Sequence, residues 1–348
     1  MVQGCRVGVV IPCFRNEQTL EAVVRELPDS VDTVIVVNDA SPDGAQAVAE
    51  RLASPRVVVL KHEKNQGVGG AMATGYAAAL ERGLDVVVKM DGDGQMAPEG
   101  IADLVTPIAE GRCEYAKGNR FLHARELEDM PLLRKLGSIV LTFLTKFASG
   151  YWHVFDPQNG FVAIAGDALA SLDLERLRHR RYFFENEMLI QLNVLGARVL
   201  DCPMPARYGG EVSSLRIGRV LFYFPYFFLR GFHFRMLHRY VLRDFSIVIP
   251  FYLLGTALFL LGLGVGAHAW ILALLTLVPT PTGTIMLAVL PLILGLQFLL
   301  QGLLIDILQT PRAVEPPARL RHAFRALPEA LPTGEARLSA GKAPQKSG

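Results

Sequence analysis

Between Asp244 and Asp306 the chain carries no Asp, Glu, Lys or Arg, and His268 is the one ionisable side chain of that kind in the interval. A membrane span needs about 20 predominantly apolar residues. The interval therefore accommodates two, at roughly 247–275 and 284–307, joined by the short uncharged "VPTPTGT". Hydrophobic residues make up 51% of the 348-residue chain and charged residues 20%, and this is where the apolar excess is concentrated. Both flanks are basic, with Arg235, Arg239 and Arg243 before the spans and Arg312, Arg319, Arg321 and Arg325 after them. A Lys/Arg bias marks the cytoplasmic side. An integral protein of the inner or plasma membrane is expected, with both flanks cytoplasmic and the short loop outside.

The length allows one to three domains, and a formal net charge of +2 is too small to indicate nucleic acid as a partner. Cys5, Cys13, Cys113 and Cys202 are far apart and form no CxxC pair, so neither a disulfide framework nor a zinc site is expected, and a reducing cytosol suits them. The N-terminal "MVQGCRVGVVIP" runs straight into a strand-like segment, and no secretory signal is expected there.

Residues 1–120 alternate between two patterns. "RVGVVIP", "VDTVIVVND", "RVVVLKH" and "LDVVVKMD" are short β-branched runs bounded by turn residues, and segments 17–27, 43–53, 68–82 and 98–110 read as helices. Continuous apolar runs suit parallel strands covered on both faces. The alternation predicts an open α/β, Rossmann-like sheet. Ligands of such sheets sit at the carboxyl ends of the strands, which puts Asn38 and Asp39, Asn65, and Asp91 with Asp93 along one rim. Farther on, 131–150 reads as an amphipathic helix bearing Arg134, Lys135 and Lys146. Residues 216–244 hold six arginines among many aromatics, a composition that suits helices lying in a headgroup layer. The expected division is a cytosolic domain over 1–215, juxtamembrane helices over 216–244, the two spans within 245–308, and a disordered tail over 309–348, rich in Pro, Ala and Arg.

The segment "DGDGQ" (91–95) sets Asp91 and Asp93 one residue apart among glycines at the end of a buried strand. A lone D-x-D is better read as an Asp-stabilised turn. On a rim shared with other polar clusters, the reading of choice is a hard divalent cation, Mg²⁺ or Mn²⁺, shared with substrate phosphates. The glycines of "GVGGA" do not make a dinucleotide fingerprint, since they follow the third strand and not the first.

Taken in order, "VVIPCFRNE" (9–17), "VVNDASPDG" (36–44), "NQGVGGA" (65–71), "DGDGQ" (91–95) and "KGNRF" (117–121) resemble the family 2 glycosyltransferases. The later "DPQNGF" (156–161), "FFENEML" (183–189) and "RYGGEVSSL" (207–215) are similar to that family's polyprenyl-phosphate branch, which includes dolichol-phosphate mannose synthases and bacterial polyprenyl-phosphate glucosyltransferases. The resemblance spans about 5–310 and implies a GT-A fold, a nucleotide-sugar donor, a divalent metal and inversion at the sugar carbon. It implies that Pro12, Phe14 and Glu17 line the nucleoside pocket with Asp39 near the base or ribose and Asn65 beside them, and that Asp91, Asp93 and Gln95 surround the metal and diphosphate. Arg120 and Arg207 match phosphate-facing arginines, and Asp156 is the matched acceptor-side catalytic carboxylate, with Glu185 and Glu187 as alternatives. Bland readings stand beside these: Asp39 capping a turn, Arg120 pairing with a surface acid, Glu185 and Glu187 on a salt-bridged helix face.

The expected activity is transfer of one hexose from a nucleotide sugar, UDP-glucose foremost and GDP-mannose as the alternative, to a polyprenyl phosphate at the membrane. A non-catalytic membrane scaffold built on a degenerate transferase domain is the rival of a different class. The branch's Ser-Lys pair is replaced by "SSLRI", where Arg216 is the nearest cation, and the Q-x-x-R-W signature of processive polymer synthases is absent. Self-association is left open.

Overall fold

The structure, a computed structural model, describes residues 1–119, 132–204 and 217–314, with backbone only at 132–136, 138, 182 and 217–223. Seven strands form one sheet: β1 (Val7–Cys13), β2 (Thr33–Asn38), β3 (Val57–Lys61), β4 (Val86–Lys89), β5 (Tyr115–Asn119), β6 (Val162–Ala165) and β7 (Val199–Pro203). Their order is β3-β2-β1-β4-β6-β5-β7. The β1–β2, β2–β3, β1–β4 and β5–β7 pairs are parallel, while β6 is antiparallel to both β4 and β5, so β6 alone runs against the other six. The four strands expected from sequence lie where their β-branched runs put them. Those four strands are mutually parallel, as their continuous apolar runs suggest, and β6 makes the complete sheet a mixed one.

Helices α1 (Leu20–Arg25), α2 (Ala45–Leu52), α3 (Gly67–Glu81) and α4 (Ile101–Ala109) follow the first four strands, the last through a 3₁₀ turn at Pro98–Gly100. The alternation of strand residues decides which helix each meets. Val9, Ile11, Val34, Val36 and Val88 pack with Leu20, Val48 and Leu104 on one face. Val10, Ile35, Val37 and Val87 pack with Met72 and Tyr76 of α3 on the other, together with Met188 and Leu189. Both faces are therefore covered, which is why the strands read as continuous apolar runs. α3 lies close on the sheet because Gly75 has no side chain: a Cβ there would stand 2.3 Å from Val10 Cγ1.

Beyond the sheet come α5 (Leu132–Ser149), α6 (Gly166–Ala170), α7 (Leu174–Arg178) and α8 (Phe184–Leu195). α9 (Ile217–Leu237) follows and passes into a π-helical turn at His238–Arg243. α10 (Val248–Thr276) and α11 (Thr282–Leu308) are the last helices of the described chain and cover most of the charge-free interval. Both are long and apolar enough to cross a membrane. Their backbones approach closely, since a Cβ on Gly295 would stand 2.4 Å from the Phe259 nitrogen. Side chains on their outer faces, among them Leu253, Trp270, Leu275 and Leu287, are exposed.

α9 meets α5 and α8 through Ala148, Phe183, Ile190, Phe224 and Phe228. Two arginines of the basic flank, Arg235 of α9 and Arg239 of the π-helical turn, do not face outward. Arg235 is fully buried in a two-pronged pair with Asp306 of α11. Arg239 donates to the backbone carbonyls of Asn193 and Gln309. The expectation that the arginines near 216–243 reach for lipid headgroups is therefore corrected for these two; Arg230 and Arg243 are exposed. After α11 the chain turns back to the sheet. Arg312 bridges in parallel to Val199 of β7, Thr310 Oγ1 donates to the Gly150 carbonyl at 2.9 Å, and Ala313 packs on the core. The segment expected to be disordered from 309 is thus packed through Ala313; residues 315–348 lie outside the described residues.

Candidate active site

The carboxyl ends of β1, β2 and β4 open onto one rim, and short loops carry its polar groups. Pro12 sits in β1 opposite Val37, and Phe14, just past the strand, is 42% exposed. The Gly44 N–H donates to Glu17 Oε2 at 2.9 Å, and the Glu17 N–H donates to Asp43 Oδ2 at 3.0 Å. Together with the Arg15 N–H donating to Ser41 Oγ at 2.7 Å, these bonds stitch the loop after β1 to the loop after β2. Burial raises the Asp43 pKa, but the Ser41 hydroxyl and several backbone N–H groups outweigh it and hold this carboxyl below its ordinary value. Thr19 Oγ1 donates to the Gly92 carbonyl at 2.6 Å, which brings "DGDGQ" against the same loops. Pro12, Phe14, Glu17, Asp91 and Asp93 therefore share a neighbourhood.

Asp39 does not offer a free carboxylate. It is 3% exposed; Oδ1 meets His62 Nδ1 at 2.8 Å and accepts from the Gln66 N–H at 2.8 Å, and Oδ2 accepts from the Gly67 N–H at 2.7 Å. Asn65 Nδ2 donates to the Asp39 carbonyl at 3.2 Å. The carboxylate caps the start of α3, supplying acceptors to backbone donors that a helix N-terminus leaves unpaired. Asp39, expected beside base or ribose, is thus engaged within the structure by His62 and the loop that leads into α3. Asp39→Ala is expected to lower stability by about 2 kcal/mol, the upper part of the range for losing such a cap. A melting temperature equal to that of the parent chain would contradict this.

Asp91 is one-third exposed, and its Oδ1 accepts from Lys89 Nζ at 2.8 Å. Asp93, partly exposed, accepts at Oδ1 from the Gln95 N–H at 3.0 Å. No cluster of three or more His, Cys, Asp or Glu among the described residues is placed to hold an ion unaided. The donor chemistry suits a hard divalent ion that completes its shell with phosphate oxygens: two carboxylates, with the Gln95 amide beside them. Asp91, Asp93 and Gln95 are the residues that would hold it.

Two lysines that sequence reasoning passed over lie beneath this rim, and both are fully buried. Lys89 Nζ contacts Asp91 Oδ1, the Gly160 carbonyl at 3.3 Å and Glu185 Oε1 at 3.5 Å. Burial would discharge it, but Asp91 and Glu185 outweigh burial and raise its pKa above the ordinary amine value. Lys117 Nζ donates to the Asn159 carbonyl. Burial brings the Lys117 pKa down to about 8, with Asp156, Glu185 and Asp201 opposing. The two ammonium groups thus hold successive carbonyls of the "DPQNGF" segment. For Lys89 the signal in the sequence was a lysine closing an otherwise apolar strand in "VVVK".

Asp156 is 1% exposed, so the expected acceptor-side carboxylate is enclosed in this structure. Asp201 Oδ2 fastens the residue before it, accepting from the Phe155 N–H at 2.7 Å. Glu187 is buried and paired with both Arg176 and Arg180, as on a salt-bridged helix face. Glu185 does approach the site, through Lys89. Arg120 and Arg207 lie outside the described residues, as do the side chains of Arg134 and Lys135. Burial pushes the thiols of Cys13 and Cys113 up to about 12, so neither supplies a nucleophile near neutral pH.

The family described as Glycosyl transferase family 2 matches residues 8–170. The UDP-N-acetylglucosamine–dolichyl-phosphate N-acetylglucosaminyltransferase of Methanococcus voltae is 34% identical over 237 residues, which cover 64% of this chain and 93% of that one. The chain belongs to glycosyl transferase family 2. Another relative is the undecaprenyl-phosphate mannosyltransferase of Micrococcus luteus, 31% identical over 203 residues covering 57% of this chain and 82% of that one. Among solved structures, the glucosyl-3-phosphoglycerate synthase of Mycobacterium tuberculosis in complex with Mn²⁺, uridine diphosphate and glucosyl-3-phosphoglycerate is 21% identical, covers 68% of this chain and 80% of its own, and has a TM-score of 0.48. In this family 2 transferase, the matched stretch runs from β1 to the end of α6 and takes in the whole rim.

Proposed function

We propose that this family 2 transferase moves one sugar from a nucleotide sugar to a polyprenyl phosphate at the cytosolic membrane surface, with inversion at the anomeric carbon. The observation that carries the reading is the joining, in one compact unit, of a carboxylate rim suited to a diphosphate with two helices long and apolar enough to anchor in lipid. Exposed Ile139, Val140 and Phe143 of α5 and Tyr226 and Leu229 of α9 supply apolar surface beside basic residues, the composition of an interfacial belt.

In the proposed reaction an oxygen of the lipid phosphate attacks the anomeric carbon and the nucleoside diphosphate leaves. The acceptor is already an anion, so proton removal contributes little and positioning dominates. Pro12, Phe14 and Glu17 frame the nucleoside, with Asp39 shaping their loop from within. A divalent ion, when bound by Asp91, Asp93 and Gln95, offsets the charge that develops on the leaving diphosphate. Asp156 is assigned to orienting the acceptor-side loop. Arg120 and Arg207 are assigned to the phosphates on the strength of the motif match.

The donor is read as a uridine diphosphate sugar. Glucose is the sugar expected from sequence, and N-acetylglucosamine is a second reading favoured by the Methanococcus voltae relative. Mannose is the reading that the name of the Micrococcus luteus relative favours. The test is release of nucleoside diphosphate from UDP-glucose, UDP-N-acetylglucosamine and GDP-mannose in parallel by the purified full chain, with and without undecaprenyl phosphate. One donor is expected to give lipid-dependent release that EDTA stops and Mn²⁺ restores. Release from none of them, or release indifferent to EDTA, would count against the reading.

A further inference from the structure

Lys89 ends β4 with its ammonium inside the protein, and such burial of a lysine is rare unless it is paired. Three segments far apart in sequence converge on it: the loop after β4 through Asp91, the turn before β6 through the Gly160 carbonyl, and the first turn of α8 through Glu185. The space for it depends on Gly160, where a Cβ would stand 2.4 Å from Lys89 Nζ and 2.9 Å from Asp91 Oδ2. A buried ammonium at this place is closed off from solvent, but it shares a carboxylate with the candidate cation site. Two cations on one carboxylate repel each other strongly at such separations. A divalent ion arriving alone meets an Asp91 already half compensated, whereas an ion arriving with a diphosphate brings its own negative charge.

We propose that Lys89 is a positioning residue that holds Asp91 as a preformed but half-neutralised ligand, so that a divalent cation binds weakly alone and tightly only together with a nucleoside diphosphate. The inference rests on the donor-site reading given above. It concerns what Lys89 adds to that site.

The test measures Mn²⁺ affinity of the full chain in detergent by electron paramagnetic resonance, without nucleotide and with UDP or GDP. In the parent chain, one of these nucleotides is expected to tighten Mn²⁺ binding at least about ten-fold. In Lys89→Met, Mn²⁺ alone is expected to bind about ten-fold tighter and the gain from nucleotide to shrink by a similar factor, the scale on which groups bonded to metal ligands tune affinity. A lysine that merely braces the loop predicts the opposite sign, with weaker Mn²⁺ binding in both conditions; that result, or no change, overturns the proposal. Glu185→Gln provides a second route if Lys89→Met does not fold. It removes the competing carboxylate and commits the ammonium to Asp91, so Mn²⁺ alone should bind about ten-fold more weakly while binding with nucleotide changes less. Equal loss in both conditions, or none, overturns the proposal. A parent chain that binds neither Mn²⁺ nor nucleotide in any combination would bring down the donor-site reading and this inference together. A parent chain that couples the two, with a Lys89→Met variant that couples them equally well, would bring down this inference alone.

Discussion

Asp93→Ala is expected to lower sugar transfer about 10³-fold, the scale on which removing a preorganised group that stabilises developing charge slows an enzyme. The fold should barely register the change. Asp93 sits in the loop between β4 and the 3₁₀ turn, is partly exposed, and gives the Gln95 N–H an acceptor that water can replace. Losing that bond costs about 1 kcal/mol. The pairing of near-native melting with collapsed, Mn²⁺-insensitive turnover is what separates a group that works on the diphosphate from one that supports the loop. Asp39→Ala is set apart by its loss of stability, since its carboxylate is enclosed and bonded to His62 and the start of α3. If Asp93→Ala turned over at the parental rate with Mn²⁺ present, the assignment of this rim to a metal-held diphosphate would fall.

The contrast between these two aspartates shows where reading from sequence succeeds. Strands β1–β4 were legible because each is a β-branched run covered on both faces, and such a run has few other ways to lie. α10 and α11 were legible because tens of residues without a charge admit little else. Strands β6 and β7 were missed: "VAIA" and "VLDCP" are short, and only pairing with distant strands makes them strands. At the site, residue types were legible and their partners were not. Asp39 and Asp93 each follow or lie near a buried strand, yet what occupies Asp39 is a pair of backbone N–H groups at Gln66 and Gly67, brought back by the β3–α3 turn. Lys89 is equally opaque, because its three oxygen partners come from three segments. Local chemistry is written locally, whereas the satisfaction of a buried charge is a tertiary fact.

Asp306 carries that lesson to the other end of the chain, where it marks the close of the charge-free interval and reads from sequence as a span boundary. In the structure it is 2% exposed and accepts from Arg235 Nη1 at 2.6 Å and Nη2 at 2.9 Å, with the Tyr240 hydroxyl donating to Oδ1 at 2.5 Å. The same guanidinium donates from Nε to the Ala148 carbonyl at 2.9 Å and from Nη2 to the Phe147 carbonyl at 3.1 Å, at the end of α5. One buried charge pair thus joins α5, α9 and α11, the elements linking the sheet to the apolar helices. Asp306→Ala is expected to destabilise the chain by about 3–5 kcal/mol, because it strands a guanidinium away from water. Replacing both partners, in Arg235→Met with Asp306→Leu, should recover much of that loss, since an apolar pair of similar volume removes the stranded charge. Recovery should stop short of complete, because the Phe147 and Ala148 carbonyls lose their donor at about 1 kcal/mol each. Melting of the detergent-solubilised chain and its two variants measures all three quantities. If Asp306→Ala melted with the parent, or if the double replacement were no better than the single one, the pair would not be the strut that its geometry makes it.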